Sequence, residues 1–385
     1  MTGGLQVFRT SRVPIVADGR CASRLDMTGT TMTHPVSGRA LLTRRQTFGI
    51  GGALIAAPFV RTGAQAQSKT IYVNSYGGVW ESSWKKAFFD PFTAQTGIQI
   101  KTVPGVSFAK LKAQVRTGNY EWDLINLGDV EYGQAVLENL VEKVDRGAAI
   151  AAQVPSNMVR DYCITSYSLG TNLVYRKDKF PKGGPQSWAD FWNVRKFPGN
   201  RCLFDRSFTC LALALLADGV PKDKLYPMDL DRAFRKMDEI KPHIKTWWRD
   251  GSQSQQLIRD GEVDMIAMWS ARAVDLIEDH VPLELVWNEA EIYYANLQVP
   301  RGDPNAKATW EFAYFVAQPK PQADFAMLLP YGPANPAARA LMTEARLKQT
   351  PAWPEHEAIG FTHDAAWIAP RLAHIRERWS QWLAT

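Results

Sequence analysis

The chain has few of the residues from which metal and redox sites are built. Only four of its 385 residues are cysteines, no two of them stand in a C-x-x-C spacing, and the six histidines form no H-E-x-x-H motif. The sequence also contains no G-x-S-x-G motif, the usual signature of a serine hydrolase nucleophile. The sequence therefore predicts no metal site and no cofactor, and a secreted enzyme is its least favoured interpretation.

A long apolar run is also missing. The apolar stretch 48–60 is shorter than the ~20 residues that a transmembrane helix needs. It follows the pair Arg44 and Arg45 and is followed by the small-residue sequence A-Q-A at 64–66, which is typical of an export signal. The sequence predicts export to the periplasm by the twin-arginine route, with removal of residues 1–66; an ordinary Sec signal is the alternative.

The positive charge of the chain is confined to this N-terminal segment. Residues 1–66 hold eight of the 45 Lys and Arg residues and two of the 39 Asp and Glu residues, so 37 of each sign remain. A balanced remainder argues against a nucleic-acid partner, which would need a basic surface. Removing 66 of 385 residues leaves 319, above the ~250–300 at which single cores stop growing, so we expect two lobes in a monomer.

Strands alternate with helices along the remainder, which predicts an α/β fold with mostly parallel sheets. Ligands of such sheets bind outside the carboxyl ends of the strands. The first strand, 70–74, is followed by Ser75, Tyr76, Gly77 and Gly78 before a helix begins. Free backbone amides at a helix start can bind an anion, although most such turns are only tight connections.

Two further strand ends carry charged residues. Asp129 follows the strand at 122–127 and precedes a helix, so it is a candidate for ligand binding or for the helix N-cap. Arg206 lies in the turn between the strand 201–205 and the next helix. Both side chains are expected at the sheet edge where a ligand would lie.

Aromatic residues accumulate at later strand ends, and such rings suit a ligand ammonium at about 0.5–2 kcal/mol for each contact. Packing in the core or between lobes is the alternative for each of them. Asp250 is the candidate counter-charge for the amine. The aromatic candidates are Trp247, Trp248, Trp269, Tyr293 and Tyr294.

Several short motifs occur in a characteristic order. Residues 167–179 read Tyr-x-Leu-Gly-Thr-Asn-x-x-Tyr-Arg-Lys-Asp-Lys, and Ser-Trp-Ala-Asp-Phe-Trp follows at 187–192. Gly-Glu-Val-Asp-x-x-x-x-Trp spans 261–269, and Tyr-Gly-Pro-x-Asn-Pro spans 331–336. Together they resemble the periplasmic solute-binding proteins of ABC transporters, in the spermidine/putrescine-binding branch.

The resemblance implies two lobes joined by two crossover strands. One lobe would comprise 69–170 and 297–337, and the other 171–296 and 338–385. Hinge closure would occur near Gly170 and Ala295. A small amine-bearing solute, a polyamine or an ω-amino acid, would be captured between the lobes and handed to a membrane permease.

The chain departs from its polyamine-binding relatives at one turn. Polyamine binders that resemble this chain have an Asp-x-x-Glu sequence at this turn. In this chain the two acidic positions hold Arg206 and Thr209. An arginine repels a diamine but matches a carboxylate, which favours an ω-amino acid. The alternative is that Arg206 pairs with Asp205 or another carboxylate on the surface.

A second alternative concerns ferric iron. Related binding proteins hold this ion with adjacent tyrosines, and Tyr293-Tyr294 is such a pair, with hard phenolate oxygens. However, the resemblance would place the tyrosines directly after the strand that ends in Trp269, where this chain has Ser270-Ala271-Arg272. Iron is therefore the less favoured interpretation.

Overall fold

The computed structural model describes residues 70–148 and 151–385. The predicted export signal, residues 1–66, lies outside this part of the chain. In the described ranges no helix is long and apolar enough to cross a membrane. The strands are β1 Thr70–Ser75, β2 Gln99–Pro104, β3 Ile125–Gly128, β4 Ile164–Arg176, β5 Arg201–Phe204, β6 Ile244–Trp248, β7 Met265–Trp269, β8 Leu283–Gln298 and β9 Gly332–Pro333.

Helices follow most of these strands. A π-helical turn at Lys85–Phe89 joins the first two helices into one continuous segment that ends at Gly97, whose φ is 76°. The helices are α1 Gly78–Trp84, α2 Asp90–Thr96, α3 Phe108–Thr117, α4 Asp129–Leu137, α5 Trp188–Trp192, α6 Ser207–Ala217, α7 Leu230–Ile240, α8 Gly251–Arg259, α9 Ser270–Glu278, α10 Ala306–Val316, α11 Pro319–Leu328, α12 Pro336–Arg339, α13 Glu344–Leu347, α14 Pro354–Ile359, α15 Ala365–Ile368 and α16 Leu372–Ala384.

The sheets combine parallel and antiparallel pairs. β1 pairs in parallel with β2, and β5 pairs in parallel with both β6 and β7. β4 and β8, with 13 and 16 residues, are antiparallel to each other and to their neighbours β7 and β3. The predicted α/β class is confirmed. The two-stranded sheet of β1 and β2 is parallel. The seven-stranded sheet is mixed rather than mostly parallel as predicted, because these two long strands run antiparallel to their neighbours.

The two long strands are irregular near Gly170. Their register places Leu169 opposite Tyr293 and Thr171 opposite Glu291, and it shifts between Thr171 and Leu173. A Cβ atom on Gly170 would lie 2.7 Å from Asn172 Oδ1 and 3.1 Å from Ser270 Oγ, so only glycine fits. The crossover between lobes and hinge motion at this point stay predictions.

The apolar core is divided between several clusters. One is rich in aromatic rings and centres on Trp84, whose ring centroid is 4.5 Å from that of Trp80 and 4.9 Å from that of Phe88. It draws mainly on residues before 170 and between 295 and 334. A second large cluster is built mainly from α6, α7 and α16. The predicted lobe boundaries stay a prediction.

The cysteines of the described region behave as core residues. Cys163, Cys202 and Cys210 are buried and free. Burial raises the pKa of the Cys163 and Cys202 thiols to about 12. These side chains are therefore neutral apolar packing groups at physiological pH.

Candidate ligand-binding site

Arg206 lies at the carboxyl end of β5, at the N-cap position of α6. Its Nη2 atom is 3.2 Å from Oε2 of Glu131, which belongs to the first turn of α4. Its Cζ atom lies 4.3 Å from the ring centroid of Phe208 and 5.1 Å from that of Tyr293. The exposed fractions are 17% for the Arg206 side chain and 19% for that of Glu131. The Arg206 side chain thus lies near the carboxyl end of β3 and is largely shielded from solvent.

The ion pair keeps the guanidinium charged. Desolvation lowers the pKa of Arg206, but the carboxylates of Glu131 and Glu291 together raise it above its ordinary value. Asp205, the partner considered from the sequence, instead accepts hydrogen bonds from Arg249 Nε at 2.9 Å and Trp379 Nε1 at 2.8 Å. The carboxylate that meets Arg206 is therefore partly buried and comes from a distant part of the chain.

Tyr76 belongs to the same neighbourhood. Its hydroxyl donates to the backbone oxygen of Asn126 at 3.3 Å, and its ring meets Trp80 edge-on at 5.3 Å. The side chain is 56% exposed, yet desolvation and then the Glu131 carboxylate raise the pKa of its phenol. Such a ring faces solvent on one side and protein on the others. We call Tyr76, Glu131, Arg206 and Tyr293 the Arg206 site.

The start of α1, directly after β1, is less available to a bound anion than the sequence predicts. Gly77 and Gly78 have φ values of 72° and 57°, which favour glycine. The Gly77 amide donates to Ser75 Oγ at 2.9 Å, and the Ser75 hydroxyl in turn donates to Glu81. A carboxylate already lies at this helix start, and the Ser75 and Gly77 donors are used internally. The predicted role of the 75–78 turn in binding an anion is therefore not supported.

Asp129 is not the N-cap of α4, and its carboxylate is already bound by other residues of the protein. Its carboxylate accepts from Arg160 Nη1 at 3.0 Å, from the Tyr294 amide at 2.9 Å and from Asn296 Nδ2 at 3.1 Å. The N-cap position of α4 is occupied by Gly128. Asp129 ties the end of β3 to β8, so it has little capacity left for a ligand.

Trp248 and Asp250 were predicted to contact the ligand amine, and the structure corrects both. Trp248 is 0% exposed, lies 4.0 Å from the parallel Phe204 ring and donates its indole N–H to the Ala267 oxygen at 2.7 Å. It is a core residue. Asp250 is exposed and caps α8 by accepting from the Gln253 amide at 2.9 Å. A cap on the surface leaves the amine without this counter-charge.

Trp269 stays a candidate. Its ring is only partly buried and meets those of Trp248 and Phe204 edge-on, at 5.1 and 5.5 Å. A Cβ atom on Gly251 would lie 3.1 Å from the ring, so α8 begins directly against it. Trp269 therefore marks the carboxyl end of β7, next to that of β5.

The adjacent tyrosines of β8 face opposite sides of the strand, as successive strand residues do. Tyr293 contacts Arg206, whereas the pKa of Tyr294 is raised by desolvation and then by Glu357. Tyr294 thus lies near a different set of charges. Two phenols on opposite faces cannot bind one ion, so the geometric basis of the iron interpretation is lost.

Two charged residues of this region were missed from the sequence. Glu131 lies two positions beyond Asp129 in the same strand-to-helix turn, so the strand-end argument could have found it. Glu291 is fully buried on β8 and accepts from Thr209 Oγ1 at 2.9 Å and from His363 Nε2 at 2.6 Å. No local signal pointed to Glu291, because its partners lie more than 70 residues away in the sequence.

Comparison with known proteins agrees with this architecture. The bacterial extracellular solute-binding protein family matches residues 87–358. The γ-aminobutyric acid-binding protein of Pseudomonas aeruginosa is 32% identical over 83% of this chain and 93% of its own length. The spermidine/putrescine-binding periplasmic protein of Escherichia coli is 21% identical over 80% and 90%. The structure of an ABC transporter substrate-binding protein from Bradyrhizobium japonicum has 33% identity and a TM-score of 0.78, covering 82% of this chain and 99% of that one.

These comparisons define the class of the protein, a binding protein for a small solute. The chain belongs to the bacterial extracellular solute-binding protein family. It is the substrate-binding component of an ABC transporter, in a family that acts outside the cytoplasm and is not enzymatic. The predicted resemblance to periplasmic solute-binding proteins of the spermidine/putrescine-binding branch is confirmed, and the similar proteins also include one named for γ-aminobutyric acid.

Proposed function

We propose that the protein binds an ω-amino acid of the 4-aminobutanoate class at the Arg206 site. The observation that carries the proposal is the position of Arg206 itself, a partly buried guanidinium at a strand end with an aromatic ring beside it. A planar guanidinium can hold a carboxylate with two parallel hydrogen bonds. The relative named for γ-aminobutyric acid, at 32% identity, points to the same ligand class.

A polyamine suits this site less well. Arg206 and Arg376 both approach Glu131, at 3.2 and 3.7 Å, so two cations share one carboxylate. A diamine would add two more positive charges beside these two cations and would bring no carboxylate for Arg206 to bind. Like charges a few ångströms apart in a partly buried site repel strongly. The site therefore favours a ligand that brings a negative group.

A ligand screen tests the proposal. We expect 4-aminobutanoate to raise the unfolding temperature of the purified protein and putrescine to leave it unchanged. A ligand at 100 times its dissociation constant adds about 2.7 kcal/mol to the free energy of unfolding. Stabilisation by putrescine alone would overturn the proposal, and a visible colour on addition of ferric salt would revive the iron alternative.

We also propose where the protein acts and how its lobes move. The protein would act in the periplasm as a monomer, and its lobes, 69–170 with 297–337 and 171–296 with 338–385, would close on the solute about Gly170 and Ala295. The closed form would then deliver the solute to the inner-membrane permease. X-ray scattering tests this closure. We expect the radius of gyration to decrease when saturating ligand is added.

The export route is proposed to be the twin-arginine pathway. We expect a change of Arg44 and Arg45 to lysine to leave the precursor in the cytoplasm, because that pathway depends on the arginine pair. Cell fractionation and immunoblotting measure the distribution. A change of Arg39 to lysine, outside the pair, serves as the control. An unchanged periplasmic yield from the double variant would point to Sec export.

A further inference from the structure

An ω-amino acid also needs a partner for its ammonium, and the sequence-based candidate does not serve. Asp250 is exposed and caps α8, and Asp129 is held by Arg160, Tyr294 and Asn296. Glu131 is the carboxylate that directly adjoins Arg206. The acceptor for the ammonium must therefore be sought there.

The geometry around Glu131 suits a ligand with two opposite charges. Both its carboxylate oxygens are near Arg206 Nη2, at 3.3 Å for Oε1 and 3.2 Å for Oε2. A Cβ atom on Gly128 would lie 3.0 Å from Glu131 Oε2 and 3.5 Å from Arg206 Nη2. The Arg206–Glu131 pair thus packs directly against the backbone of Gly128. The side chain of any larger residue at this position would lie too close to the pair.

Two aromatic rings lie against the guanidinium of the pair, those of Phe208 and Tyr293, at 4.3 and 5.1 Å from Arg206 Cζ. Desolvation and then the Glu131 carboxylate raise the pKa of the half-exposed Tyr76 phenol. The second cation at Glu131, Arg376, approaches to only 3.7 Å and its side chain is 47% exposed, so it competes weakly for the carboxylate.

We infer that Glu131 binds the ammonium of the solute, which takes the place of the contact between Glu131 and Arg206. The ligand carboxylate binds Arg206, and the ligand ammonium binds Glu131. This inference rests on the proposed function and deepens it, since it names the second specificity-determining residue of the same site.

The exchange conserves charge. One internal ion pair is replaced by two contacts to a ligand whose own charges sum to zero. A diamine would leave an ammonium against Arg206, and a dicarboxylate would leave an anion against Glu131. Repulsive contacts of this kind are what separate one ligand from another in specific sites. The pair therefore selects a zwitterion with separated charges and rejects solutes with two like charges.

Calorimetry with two matched ligands tests the inference. Butanoate has the carboxylate and chain of 4-aminobutanoate but no ammonium. We expect Glu131→Gln to weaken 4-aminobutanoate binding at least tenfold and to leave butanoate binding unchanged or tighter, because Arg206 has lost a competitor. Glu131→Asp, which keeps the charge, should restore part of the affinity. Glu121→Gln, at an exposed pair with Lys110, is the control.

Other outcomes overturn the inference in distinguishable ways. Tighter 4-aminobutanoate binding by Glu131→Gln would show that Glu131 only competes for Arg206. Equal weakening of both ligands, with no recovery in Glu131→Asp, would assign Glu131 a structural role. In both cases the unaltered protein still binds 4-aminobutanoate, so the proposed function stands. Absence of 4-aminobutanoate binding by the unaltered protein overturns both.

Discussion

Replacement of Arg206 by alanine is expected to weaken the binding of 4-aminobutanoate by about 30-fold to several thousand-fold. Truncation of one partner of a buried, hydrogen-bonded charge pair costs about 2–5 kcal/mol, because the other charge stays desolvated and unpaired. In this variant the ligand carboxylate would lie against Phe208 and Tyr293 with no cation beside it. Isothermal titration calorimetry with both proteins measures the loss.

A nearby arginine provides the matched control. Arg249 pairs with Asp205 at the same end of the sheet, but its side chain is 76% exposed. Because exposed ion pairs contribute little, Arg249→Ala should change the affinity less than threefold. Arg206→Lys should give an intermediate loss, since it keeps the charge but not the planar pair of donors. Tight putrescine binding that is unaffected by Arg206→Ala would return the chain to the polyamine class.

The α/β class was predictable because its signals are local. Alternating apolar runs, glycine turns and N-caps depend on residues that are neighbours in the sequence. One such N-cap is Ser187, whose side chain accepts from the Asp190 amide at 3.1 Å. The antiparallel direction of β4 and β8 was harder to predict from the sequence. Strand direction within a sheet depends on which strands meet, and the partners of β8 come from β3 and β4, more than 100 residues earlier.

Side-chain burial was harder to predict than strand position. Trp247 and Trp248 are adjacent in sequence at the end of β6, yet Trp248 is enclosed by Phe204 and Trp269, whereas Trp247 lies against the terminal helix α16 through Trp379. A period-two strand pattern places the two rings on opposite faces. It does not say that both faces of β6 are covered, and so it cannot distinguish a ligand contact from core packing.

The Arg206 site shows the same limit for charged residues. Arg206 was identified because it replaces an acidic residue of the relatives at a strand end. The sequence does not show which carboxylate contacts Arg206, because Asp129 and Glu131 lie in one turn and are separated from Arg206 by nearly the same number of residues. The choice is made by β8, which binds Asp129 through the Tyr294 amide and leaves Glu131 free to turn toward Arg206.

Replacement of the buried Glu291 by alanine is expected to lower the free energy of unfolding by about 3–5 kcal/mol. Glu291 accepts from Thr209 and His363, and the His363 ring is held from its other side by the Tyr226 hydroxyl at 2.6 Å. The variant would leave these groups without an acceptor inside the protein and would remove a negative charge near Arg206. Urea denaturation at pH 7 measures the change.

The same residue predicts a dependence on pH. Desolvation raises the pKa of Glu291, but the contacts with His363 and the charge of Arg206 outweigh it and bring the pKa from 4.5 to about 2. A carboxyl group whose pKa is lower in the folded state stabilises the protein above its unfolded pKa. That contribution is lost as the pH falls from about 4.5 toward about 2. The unaltered protein should therefore lose more stability over this interval than Glu291→Ala.

Two variants separate the charge of Glu291 from its shape. Glu291→Gln keeps an acceptor oxygen for His363 and Thr209, so we expect a smaller loss, about 1–3 kcal/mol at pH 7. Glu284→Gln alters a half-exposed residue of the same strand, 3.9 Å from Lys177, and should change stability by less than about 1 kcal/mol. If Glu291→Ala unfolds at the same urea concentration and with the same acid dependence as the unaltered protein, the carboxylate is not a stabilising charge. If Glu291→Gln is as unstable as Glu291→Ala, the charge rather than the hydrogen-bonding shape holds this part of β8 in place.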